Sequence, residues 1–100
     1  MNADTRKAVS TIRRCVAADR VMLTRHFRVR LAERGVLWAD VRAVVDAPAS
    51  ARVDGMDDAG RSRWIVEGRA ADGVSMGLVC VIGRDDAGDL AVFVTAFWED

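Results

Sequence analysis

His26, Arg30 and Arg34 recur every four residues in a segment of helical periodicity. At about 100° per residue that spacing gathers all three within about 80° of arc, beside an apolar edge made by Phe27 and Leu31. Histidine exchanges a proton near neutral pH, and neighbouring arginines can hold a phosphate and stabilise the charge that develops as a phosphodiester bond breaks. The stripe therefore suits RNA cleavage without a metal. The same spacing also describes the solvated face that any amphipathic helix needs, with Glu33 as a local partner. Arg63 and Arg69 share one face of a strand with Ile65 and Glu67, where they can reach a substrate across a sheet or pair with acidic neighbours.

The elements that must position these residues follow from periodicity. Ala8, Ile12, Cys15 and Val16 form the apolar stripe of a first helix, with Asp4 available as its cap. Val21-Met22-Leu23 is a short apolar connector or strand. Thr24 caps a second helix that ends at Gly35, and Leu37, Val41, Val44 and Val45 line a third, with Asp40 in its first turn and Pro48 as its stop. From residue 49 the period changes to two, and the apolar segments at about 49–54, 62–69, 74–82 and 90–97 predict four strands. Asp72-Gly73 predicts a type I′ hairpin turn, whereas 55–60 and 83–89 predict longer loops in an antiparallel meander. The last two strands are apolar on both faces and belong at the centre of the sheet. Helices on one face would leave the other partly open, a plausible setting for a site.

Composition narrows the class. The 100 residues are 51% hydrophobic and 30% charged, the balance of one packed domain, with a helical part at about 3–47 and a sheet at about 49–98. No apolar run approaches the ~20 residues of a membrane span, and no leader pattern opens the chain, so a cytoplasmic location without membrane attachment is expected. Cys15 and Cys80 lack metal-type spacing and read as buried thiols; no metal or cofactor is expected. Net charge is zero, yet residues 1–46 carry ten basic side chains against five acidic ones. Fourteen of the fifteen basic residues are arginine, which suits bidentate contacts to phosphate or carboxylate. The stretch 55–62 matches phosphate-loop spacing except for Arg61 in place of lysine, but it lies between strands with two carboxylates inside it and is discounted. Trp38, Trp64 and Trp98 can anchor a core or a partner, with Trp98, beside Glu99 and Asp100, best placed for a partner.

The run Thr24-Arg25-His26-Phe27-Arg28-Val29-Arg30-Leu31-Ala32-Glu33-Arg34-Gly35-Val36, followed by Asp40-Val41, Trp64-Ile65-Val66-Glu67-Gly68 and Val94-Thr95-Ala96-Phe97, resembles a widespread bacterial family of short domains grouped with the RelE/ParE-like toxin fold. The resemblance covers residues 20–98. It implies an α+β fold, N-terminal helices on a four-stranded, mainly antiparallel twisted sheet. It further implies His26 as acid or base, Arg30 and Arg34 as phosphate ligands, and Thr95 as a polar contact on the last strand, where it is read as alternating with Phe93 and Phe97 on one side. The expected function is a toxin-type domain that binds or cleaves RNA, with RNA and an antitoxin protein as partners. The chain departs from RelE-type ribosomal nucleases, since it has no tyrosine, a single lysine and no net positive charge. Those departures keep open a non-catalytic, protein-binding module of the same fold.

Overall fold

In the computed structural model, which describes residues 1–99, the helical stretches capture their own ends. Helix α1 (Ala3–Ala17) is capped by Asn2, whose side chain accepts from the Thr5 N–H at 2.8 Å. The expected cap, Asp4, instead lies in the first turn, where its charge still favours the helix N-terminus. Strand β1 (Val21–Leu23) leads into α2 (Arg25–Arg34), which Thr24 caps and Gly35 closes in the left-handed conformation at φ 64°. Helix α3 (Trp38–Asp46) buries Val41, Val44 and Val45, but Leu37 is its exposed N-cap residue and not part of the buried stripe. Asp40 replaces the missing cap. Its carboxylate accepts from the Leu37 N–H at 2.9 Å and from the Ala71 N–H at 3.1 Å, tying α3 to the sheet.

Four longer strands follow: β2 (Ser50–Met56), β3 (Ser62–Arg69), β4 (Ser75–Asp85) and β5 (Gly88–Trp98). They form an antiparallel meander, with β4 and β5 central as their two-sided apolar pattern predicts. The sheet has five strands, not four, because Val21-Met22-Leu23 pairs in parallel with Ala91-Val92-Phe93, giving the order β1-β5-β4-β3-β2. Three residues carry too little periodicity to reveal such pairing from sequence.

Two turns differ from expectation. The Ala70 carbonyl accepts from Gly73 N–H at 2.9 Å and Gly73 has φ 89°, while Asp72 has no positive φ. The turn is thus the form with a glycine bulge and not type I′, which requires positive φ at both central residues. Strands β4 and β5 extend until Asp85 pairs with Gly88, shortening the expected 83–89 loop to Asp86-Ala87.

Helices α1 and α3 pack on one face of the sheet, and α2 adds Phe27 to the same core from beside β5. Phe27, Phe93, Leu78, Met76 and Val44 are fully buried between them, and Cys15 and Cys80 lie in the same core as free thiols. Trp98 also packs against this core, and its indole N–H donates to the Arg34 carbonyl at 3.2 Å. Among the described residues, no helix is long and apolar enough to cross a membrane.

The candidate site at the border of the second helix and the open sheet face

Thr24 fixes where α2 begins. Its hydroxyl accepts from the Phe27 N–H at 3.1 Å and donates to the Val94 carbonyl at 3.0 Å, while its N–H donates to the Phe93 carbonyl. At the other end, Trp98 holds the Arg34 carbonyl. Helix α2 therefore runs alongside β5, in the same direction, on the edge that β1 leaves free beyond residue 93.

Chirality decides which way its side chains turn. Ala91 and Phe93, whose side chains face the core, direct their peptide groups toward β1 and the start of α2. For L-residues this fixes the side of β5 on which α2 lies. A right-handed helix there, with Phe27 turned to the core, sends Arg34, Arg30 and His26 off to one side of Phe27 by about 20°, 60° and 100°. That side is the one bearing the open face of the sheet. His26 and Arg34 are exposed and Arg30 is half-buried. The Arg30 guanidinium stands 3.8 Å from Glu33 in a solvated i,i+3 pair, an arrangement worth little, so its charge stays available.

Thr95 reaches the open face because of a bulge. Register shifts between Val79 and Cys80, so that Thr95 pairs with Val79 while Phe93 pairs with Cys80, leaving Val94 as the extra residue. The bulge reverses the alternation, and Phe93 points into the core while Thr95 and Phe97 stand on the other side. The expectation that Thr95, Phe93 and Phe97 share a side is thereby corrected. Bulges cannot be read from apolar alternation alone.

Arg63 is half-buried on the same open face, through its pairing with Val81. Arg69 is exposed but donates to the Gly73 carbonyl at 2.8 Å, which assigns it to its own hairpin. The acidic partner in this region is taken by Arg52, which pairs with Glu67 across β2 and β3. Glu67 and Glu99 were not singled out by sequence. Glu67 is opposite Gly77, and Glu99 is brought beside Ser75 by its N–H bond to the Ser75 carbonyl at 2.9 Å. The two carboxyls lie side by side: the Glu99 carboxyl and the Arg52 guanidinium hold Glu67 below the usual carboxylate range, and the Glu67 carboxyl holds Glu99 above it. Their signal in sequence is only parity on two separate strands.

The floor of the open face is apolar. Ile65, Val79, Val81 and Val92 are buried there outside the helix-covered core, and Met22 on β1 is 53% exposed at its edge. The phosphate-loop-like stretch is a hairpin loop that Asp57 closes, accepting from the Ala59 and Arg61 N–H groups. Grooves of about 360 Å³ beside α1 over Trp64 and Ile82, about 590 Å³ between α1 and Pro48, and about 360 Å³ between the end of α1 and the β4–β5 turn do not include His26, Arg30, Arg34 or Thr95. Among the described residues, no group of three His, Cys, Asp or Glu is arranged to hold a metal ion. No family model matches the chain, and no curated protein matches it.

Proposed function

We propose that the protein is a toxin-type RNA-binding and RNA-cleaving domain of RelE/ParE-like architecture, acting in the cytoplasm as one half of a toxin–antitoxin-like pair. The observation that carries this reading is the alignment of His26, Arg30 and Arg34 along the edge of α2 that borders the open sheet face. His26 takes the 2′-hydroxyl proton or supplies one to the leaving oxygen, Arg30 and Arg34 hold the phosphate, and Thr95 contacts it from β5. Arg63 extends the cationic surface across the sheet, with Arg69 at its far margin.

Incubation of the purified protein with single-stranded RNA tests the reading. Cleavage is expected to fall about 10²–10⁴-fold in His26→Ala. Arg30→Ala and Arg34→Ala are expected to weaken RNA binding. Cleavage unchanged in His26→Ala would remove the mechanism.

The exposed apolar side chain of Met22 at the edge of this face favours a second reading in which the same face binds a protein. Under that reading the protein arrests growth, relieved by a neighbouring gene's product, while leaving RNA intact.

A further inference from the structure

Gly77 and Phe97 are paired across β4 and β5, and the phenyl ring lies directly on the glycine. A Cβ at Gly77 would meet three ring atoms at under 3.0 Å. One face of the ring is thus pressed onto the backbone, and the half-buried ring turns its other face away from the sheet. Glu67 is the residue opposite Gly77 on the next strand. The Glu67 side chain is only 17% exposed, pairs with Arg52 and lies beside the Glu99 carboxyl. An ionised carboxylate offers about four lone-pair positions, so the contact with Arg52 leaves acceptor capacity on Glu67.

Resting on the RNA reading above, we propose that Phe97 and Glu67 select a guanine base. The base stacks on the outward face of Phe97 and turns its N1–H and N2–H donors to the Glu67 carboxylate, displacing Glu99. Base stacking on an aromatic ring tolerates any base, so the ring supplies affinity and the carboxylate supplies the choice. Guanine presents two adjacent N–H donors on its pairing edge; adenine presents an acceptor beside its amine, and uracil presents a carbonyl on either side of its N–H. The positions fit one nucleotide. Phe97 lies on β5, the strand that α2 borders, and Glu67 lies two strands further in, about 10 Å away at ~4.8 Å per strand. A phosphate held by Arg30 at the helix edge leaves its base over the ring and its pairing edge toward Glu67.

The test uses the full chain and fluorescent oligouridylates carrying one central guanine, adenine or inosine, the last lacking the N2 amine. Guanine is expected to bind about tenfold tighter than adenine, with inosine between them. Glu67→Gln should abolish the preference while keeping general affinity. Phe97→Leu should weaken all three probes, and Gly77→Ala, which displaces the ring without removing it, should do the same. Melting curves identify any variant that has failed to fold. Arg30→Ala should weaken every probe equally and leave the preference intact. Equal binding of guanine and adenine by the native chain, or a preference that survives Glu67→Gln, would overturn the proposal and leave the RNA reading standing. Absence of binding to every probe would overturn both.

Discussion

Glu67 and Glu99 bind protons in opposite directions from a free glutamate, and the sign of each can be followed. Glu99 holds its proton more tightly when folded, because the Glu67 carboxyl lies beside it. Its contribution to stability is complete below the ordinary value of about 4.3 and disappears as pH rises through its raised folded value. Glu67 is depressed by the Glu99 carboxyl and by Arg52, so its contribution is present above about 4.3 and is lost as pH falls through its lowered value. Carboxyl-resolved NMR should find Glu99 titrating above Glu67, and Glu67→Ala should return Glu99 toward the ordinary range. Coincident titration would contradict these opposite shifts. The glycine beneath Phe97 is a matching constraint: Gly77→Ala should cost about 1–3 kcal/mol by overpacking, measured by denaturant unfolding. Asp85 follows the usual carboxylate pattern, its pKa lowered first by the Arg20 side-chain bond, so the pair it makes fades as the solution is acidified.

At the scale of elements, α2 depends on few attachments. Only Phe27 is fully buried on this helix, and its two ends are held by Thr24 and Trp98. Thr24→Ala removes a cap and a tether to Val94 together and should destabilise by about 1–2 kcal/mol, whereas Thr24→Ser should retain most of both. Amide exchange across residues 25–34 should rise in the alanine variant before the rest of the chain is affected. Asp40→Ala should cost about 1–3 kcal/mol, since it leaves the Leu37 and Ala71 N–H groups without their acceptor. These elements also mark what could be read in advance. The helix cap at Thr24, the stop at Gly35 and the central places of β4 and β5 all follow from local chemistry or two-sided apolarity. The parallel pairing of β1, the bulge at Val94 and the meeting of Glu67 with Glu99 do not. Each is a relation between segments distant in sequence, to which no local period responds. His26, Arg30 and Arg34 were legible as a stripe; that the stripe faces the open side of the sheet required the topology.

Across the whole molecule, the polarised charge of the chain is partly neutralised on folding. Arg20 pairs with Asp85, and Arg14 stands 3.9 Å from Asp89, so the basic helical half meets the acidic β4–β5 turn instead of projecting as one cationic surface. The stripe on α2 is outside this exchange. The two thiols report on the core as a unit: burial pushes both upward, Cys80 the more strongly. In a reagent assay neither should react faster than the chain opens, and rapid labelling of Cys80 in the native state would show the core to be looser than described. The pairing of residues 21–23 with 91–93 has a further consequence, one of timing. The hydrogen bonds that tether α2 at its two ends come from β5, which follows the other described strands in the chain. A growing chain can form its helices and its β2–β4 meander while still on the ribosome, but His26 and Arg30 gain their setting only when residues 93–98 emerge and dock. The candidate site therefore stays unassembled during synthesis until β5 has emerged and docked.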